Sequence, residues 1–228
     1  MEAYVMDAFS TRVFGGNQAG VALPERELPD ARMQQVAAEF KHSETAFVRL
    51  EKDGSVTLRY FTPAGEVELC GHATVASFAL LRQLGRIGDG DVTAHTRAGE
   101  LSVTVQGGTV WMDMAKPRLL RELGEDEWDA FYEAYGLTTA DRPEGLTPAI
   151  VSTGLADVML PVRDHDTLMR AVQNEAAVTA LSKKYDVTGV HMFCLGDGCT
   201  AYCSNYAPLY DIPEECATGT SNGALTYY

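Results

Sequence analysis

A chain of 228 residues, 46% hydrophobic and 22% charged, is ordinary for a globular protein and long enough for one large domain or two small ones. Its formal net charge of −14, with no Lys/Arg cluster, argues against a nucleic-acid partner, and no apolar run approaches the roughly 18 residues of a membrane span. The start, Met1 to Tyr4, has neither the basic nor the apolar region of a signal peptide, so the expected location is the cytoplasm, and five cysteines, an odd number, make a disulfide framework unlikely.

Residues 3–9 read as a strand, Gly15-Gly16-Asn17 as a tight turn needing positive φ, and residues 19–23 as a second strand closed by Pro24. Asp30 is placed to cap a helix through Met33 and Phe40. From Lys41 to Val48 polar residues lead straight into an apolar strand. There Glu44, between Ser43 and Thr45, reads equally as a solvated strand end or as a partly desolvated general base.

The strand at 56–61 leads through Thr62-Pro63 to Cys70-Gly71-His72-Ala73-Thr74 and then to an apolar helical run from Val75 that stops near Gly85. In such a strand–turn–helix, the glycine lets backbone approach a ligand, the first amides of the helix offer donors to an anion, and the dipole favours a thiolate. Segments 92–96, 101–105 and 110–114 alternate as strands, with His95 on one strand face, and 116–124 reads as a crossover.

The second half gives a helix at 126–135 ended by Gly136, a strand at 149–153, a turn over Gly154 to Asp157, a strand at 158–162 and a helix spanning Leu168 to Tyr185. A strand at 189–195, a Gly196-Asp197-Gly198 hairpin and a strand at 199–206 follow. A metal reading of Cys194, Cys199 and Cys203 is set aside, because the segment alternates like a strand pair and has no fourth ligand close in sequence.

The chain then repeats its earlier turn. Glu215-Cys216-Ala217-Thr218-Gly219-Thr220 again sets an acidic residue before a Cys, small residues after it, a Thr four positions on, and an apolar helical run behind. Two such turns predict two similar half-domains facing each other across a cleft, residues 1–115 and 116–228. The second stops at Tyr228, partway into the helix the first would predict, so its final strands are expected to be lacking.

These pieces resemble the phenazine-biosynthesis PhzF family of isomerases, which shares the diaminopimelate-epimerase fold. The resemblance rests on Asp7-Ala8-Phe9, Phe14-Gly15-Gly16-Asn17, Ser43-Glu44-Thr45, Phe61-Thr62-Pro63, Cys70-Gly71-His72, Ser152-Thr153-Gly154, Asn205-Tyr206-Ala207-Pro208 and Ala217-Thr218-Gly219. It implies an α+β (mixed α/β) architecture of two pseudo-symmetric halves, each a mixed sheet curled around a central helix, a homodimer, and no cofactor or metal. It also implies that Glu44 is the acid/base, that His72 and Glu215 are its partners, and that Gly71, Ala73, Thr74, Thr218, Gly219 and Thr220 hold the carboxylate of a small substrate.

There are departures. Cys70 and Cys216 together resemble the paired thiols of diaminopimelate epimerase and proline racemase, while the alternative is that both are merely small residues of the turns. Ser204 stands where relatives often carry Arg, and Asp211 where they carry Gly. Three functions follow: an isomerase shifting a proton and a double bond through Glu44, an amino-acid racemase or epimerase using Cys70 and Cys216, and a non-catalytic binder of small acids.

Overall fold

Residues Met1–Asp113 form one unit and Met114–Tyr228 a second in the computed structural model, which describes all 228 residues. In chain order the first unit contains β1 (Glu2–Ala8), β2 (Asn17–Leu23), α1 (Asp30–Phe40), β3 (Thr45–Leu50), β4 (Val56–Phe61), β5 (Glu66–Val67), α2 (Gly71–Gln83), β6 (Gly90–Thr96), β7 (Gly99–Gln106) and β8 (Thr109–Met112). Its sheet runs β1-β2-β3-β4-β6-β7-β8, with β5 paired to β4. The β2–β3 and β4–β6 pairs are parallel and the others antiparallel.

Helix α2 touches β1, β2 and β3 near one edge of this order and β7 and β8 at the other, which a flat sheet could not allow; the sheet therefore curls around it. The helix is apolar nearly all round, as a helix enclosed by a sheet must be, and buries Ala73, Ala76, Phe78, Leu80 and Leu81. Period-two alternation divides each strand between two cores. In β3, Ala46 and Val48 join the cluster around α2, whereas Phe47 packs with Phe61, Met33 and Ala37 beneath α1.

The turn between β1 and β2 follows from its glycines. Gly16 has φ +70°, and a Cβ there would stand 2.0 Å from the Ala8 carbonyl oxygen, so only glycine closes the return. Asp30, expected to cap α1, is instead its first residue. Pro29 occupies the capping position without a side-chain bond, and the Asp30 carboxylate is drawn to Arg59, 2.7 Å away.

The second unit contains β9 (Arg118–Glu122), α3 (Glu125–Glu133), β10 (Ala149–Ser152), β11 (Ala156–Pro161), α4 (His165–Arg170), α5 (Glu175–Tyr185), β12 (Gly189–Leu195), β13 (Ala201–Ala207), β14 (Ile212–Glu215) and α6 (Gly219–Tyr227). The sheet order is β14-β13-β12-β11-β10-β9, with only β11–β12 parallel. On one face Val158, Leu160, Val190 and Met192 pack with Phe131, Tyr132 and Val178; on the other Ala149, Val151, Met159 and Phe193 meet Ala224 of α6.

Three expectations change here. The helix read over Leu168 to Tyr185 is two, because the Asn174 side chain accepts the Ala177 N–H at 3.1 Å and starts α5 afresh. The crossover at 116–124 contains β9, whose five residues are all exposed and so show no alternation to read. The strand read from Cys199 begins at Ala201, since Thr200 still belongs to the hairpin and its carbonyl accepts the Gly196 N–H at 3.2 Å. No helix of the chain is long and apolar enough to cross a membrane.

Candidate active site

Cys70 is the capping residue of α2, in extended conformation (φ −141°, ψ 114°), and no side chain caps the helix there. Its carbonyl accepts the Thr74 N–H at 3.0 Å and the Thr74 hydroxyl at 2.7 Å. Because that hydroxyl spends its only proton on Cys70, the 2.6 Å contact from Tyr60 must be donated by the phenol. A buried chain from Tyr60 on β4 through Thr74 thus pins the helix start. Burial pushes the Tyr60 phenol up, which keeps it a donor. With no acidic side chain in the first turn, the amides of Gly71, His72 and Ala73 keep the positive end of the helix open to an anion. A Cβ at Gly71 would meet only the Met112 methyl, at 3.6 Å, so the protein's own packing does not require glycine there.

Glu44 reaches this turn from the start of β3. Its carbonyl accepts the Gly20 N–H at 3.0 Å. A Cβ on Gly20 would stand 2.7 Å from the Thr45 hydroxyl and 2.9 Å from the Phe40 ring, so glycine lets β2 and β3 close up and fixes where Glu44 emerges. Glu44 is not a solvated strand end: it is 8% exposed, as is His72. Glu44 Oε2 lies 3.5 Å from His72 Nε2, and the far ring nitrogen, Nδ1, lies 3.4 Å from Cys70 Sγ. Carboxylate, imidazole and thiol therefore stand in series. Burial holds the His72 pKa below its ordinary value, against the opposing pull of the Glu44 charge and the Gln18 main chain. Glu44 Oε2 and His72 Nε2 are both buried without a hydrogen bond.

The structure thus brings together Glu44, Cys70 and His72 with Gly71, Ala73 and Thr74. The remaining sequence-derived candidates, Glu215, Cys216, Thr218, Gly219 and Thr220, lie along the β14–α6 turn of the second unit. There one expectation is corrected. Cys216 does not stand at the helix start. It is exposed and two residues ahead of the capping residue, Thr218, whose side chain accepts the Ser221 N–H. A hydroxyl caps an amide far better than a thiol, so the helix begins at the threonine, and the helix dipole does not act on Cys216 as it does on a residue at the cap. Structurally Cys70 corresponds to Thr218, two positions off the match read from the cysteines.

Asp157 was read as a turn residue and is instead a buried member of β11. Its Oδ2 accepts the Ser221 hydroxyl at 2.5 Å, and burial raises its pKa against that bond and the Gly189 N–H. Nearby, His191 Nδ1 contacts Asn205 Oδ1 at 3.0 Å, and burial lowers the His191 pKa. The available signal was an acidic residue opening the apolar run of Val158 to Val162.

The sequence matches the PhzC-PhzF family, described as phenazine biosynthesis-like protein, over residues 6–228. The chain belongs to that family. An uncharacterised isomerase of Escherichia coli, YddE, is 33% identical over 229 residues, which cover 98% of this chain and 77% of the relative. An uncharacterised isomerase of Deinococcus radiodurans is 35% identical over 223 residues, 96% of this chain and 72% of the other. The fold of a Bacillus anthracis phenazine biosynthesis protein of the PhzF family superimposes with a TM-score of 0.89 at 26% identity, covering 99% of this chain and 79% of that one. This PhzC-PhzF chain is accordingly an enzyme of the isomerase class. In the family resemblance Gly stands where this chain has Asp211, and Asp211 indeed takes a left-handed conformation, φ +60°.

Proposed function

We propose that this protein is a PhzF-type isomerase that moves a proton, and with it a double bond, on a small carboxylated substrate, with Glu44 as the acid/base and no cofactor. The observation that carries this reading is the buried Glu44 Oε2, without a hydrogen bond and 3.5 Å from His72 Nε2 beside the uncapped start of α2. A C–H bond is too poor a donor to saturate a base in advance, so a base for carbon must be held near its site with an oxygen unsatisfied. A neutral imidazole beside it can take up and return the proton, and the α2 amides hold developing negative charge. The family resemblance adds Glu215 as a further proton partner.

The contact of Cys70 with His72 Nδ1 favours one alternative, a thiol base activated by imidazole as in a racemase or epimerase. Two measurements separate the readings. The protein is incubated in D₂O with a panel of amino acids and unsaturated carboxylic acids, and carbon-bound protons are followed by NMR. Exchange that Glu44→Gln abolishes and Cys70→Ser spares supports the isomerase, and the reverse pattern supports the thiol enzyme. A small acid that raises the melting temperature without any exchange would instead identify a non-catalytic binder.

A further inference from the structure

We propose that Glu44, Cys70 and His72 form a binding site for one thiophilic divalent cation of the zinc class, which enters as an inhibitor and withdraws all three groups from proton transfer. The inhibitory half of this inference rests on the isomerase reading above; the binding half does not.

The geometry is that of a three-ligand site. One ligand atom from each residue lies within 4.8 Å of the other two, and all three residues are buried. Bonds of about 2.0–2.3 Å to a tetrahedral ion place neighbouring ligands about 3.3–3.8 Å apart. Cys70 Sγ and His72 Nδ1 are already 3.4 Å apart, and a Glu44 carboxylate oxygen lies within the 4.8 Å limit of the set. Three protein ligands leave a fourth position for water or a substrate carboxylate beside the α2 amides.

Chemistry selects the ion. Thiolate and imidazole favour zinc-class metals over magnesium or calcium, which take oxygen ligands. Binding replaces the thiol proton with the metal and releases it to solvent, so the thiolate and the Glu44 carboxylate bring two negative charges that one divalent ion neutralises. The independent sign of an unfilled site is that Glu44 Oε2 is buried and makes no hydrogen bond. A buried carboxylate oxygen is ordinarily satisfied, and a cation held by Cys70 Sγ and His72 Nδ1 would satisfy this one.

The test uses the full chain, stripped with a chelator, and titrates it with Zn²⁺ by equilibrium dialysis and with Co²⁺ by absorption. The expected result is one equivalent bound, with a thiolate-to-cobalt charge-transfer band in the near ultraviolet. Cys70→Ser should lose that band, and Glu44→Gln should keep it while binding at least about tenfold more weakly, since even outer-shell partners of a metal contribute that much. Cys199→Ser, altering an exposed thiol, should change neither. Circular dichroism establishes that each variant is folded; should Cys70→Ser fail to fold, Glu44→Gln and His72→Asn carry the test. Absence of stoichiometric binding, a band that survives Cys70→Ser, or affinity indifferent to both Glu44→Gln and His72→Asn would overturn the site. In the exchange assay, one equivalent of Zn²⁺ should suppress turnover and chelator should restore it. Metal binding without any proton exchange would leave the site standing and defeat the isomerase reading. Exchange undisturbed by bound Zn²⁺ would defeat the inhibitory role.

Discussion

The starts of α2 and α6 are built from similar sequence and do opposite things with their polar groups. At α2 the side chain at the capping position, a cysteine, makes no cap bond, Tyr60 donates to the Thr74 hydroxyl and Thr74 to the Cys70 carbonyl, and the amide end is left beside Glu44 and His72. At α6 the equivalent groups satisfy one another: Thr218 accepts the Ser221 N–H, Ser221 donates to Asp157, and Thr153 donates to the Thr220 carbonyl at 2.9 Å. The difference teaches that a repeated turn motif can be tuned either for stitching a helix to its sheet or for presenting unsatisfied groups to a ligand. A capping side chain decides which.

The largest expected difference between the two turns is in the chemistry. Glu44→Gln keeps the shape of the side chain and removes the base, so proton exchange should fall by roughly 10²–10⁴-fold, the usual contribution of a general acid/base. Cys216→Ser, altering an exposed thiol off the helix start, should leave exchange within about twofold, a change well under one kcal/mol in barrier height. Equal losses in the two variants would mean that the two turns share the work.

The next effect is on stability. Thr74→Val keeps the volume but strands the Tyr60 hydroxyl and half-empties the Cys70 carbonyl, which should cost about 1–3 kcal/mol in a urea melt. Tyr60→Phe removes the outer donor and leaves the Thr74 bond to Cys70 intact, so it should cost less. A larger loss from Tyr60→Phe would show that the phenol, not the threonine, positions the helix.

Much of this arrangement could be read from the chain, and the reasons are specific. The strand, turn and buried helix around Cys70-Gly71-His72 announce themselves because apolar periodicity, a glycine and polar residues fall together there. The proximity of Glu44 to His72 was not readable from spacing, since it depends on the parallel pairing of β2 with β3 and on Gly20 letting them approach; the family resemblance supplied both residues, but not their distance. The register of the second turn was misread because two cysteines drew the match, whereas hydrogen-bonding chemistry starts the helix at Thr218. Asp157 was missed because a lone carboxylate at the head of an apolar strand looks like the end of a turn until its partner, Ser221, is seen to come from the other side of the sequence.

Two smaller predictions sharpen the α6 side. Burial raises the Asp157 pKa, so the native state holds this proton more tightly than the unfolded chain, and stability is lost as pH rises from the unfolded carboxylate value of about 3.9 through the raised native one. His72 and His191 act in the opposite direction: their pKa values are lowered, so stability is lost as pH falls through the unfolded histidine value of about 6.5. Asp157→Asn can accept from the Gly189 N–H and donate to Ser221 without titrating. It should therefore flatten the decline on the alkaline side and leave the acid-side decline of the histidines in place. A melting-temperature profile between about pH 3 and pH 8, a window that brackets those two values, checks this, and an unchanged alkaline slope would mean that Asp157 titrates alike in the folded and unfolded chain.

The smallest effect belongs to the cap itself. Thr218→Ala removes one acceptor for the Ser221 N–H and should cost about 1 kcal/mol, as loss of a capping side chain usually does. Thr218→Ser keeps the oxygen and should cost almost nothing. The informative variant is Thr218→Cys, which copies the α2 arrangement into α6: if the thiol caps as poorly here as at Cys70, it should be about as unstable as the alanine variant in the same urea melt. A cysteine variant as stable as the wild type would show that sulfur can serve at this position, and the uncapped state of α2 would then owe to its own surroundings and not to the choice of residue.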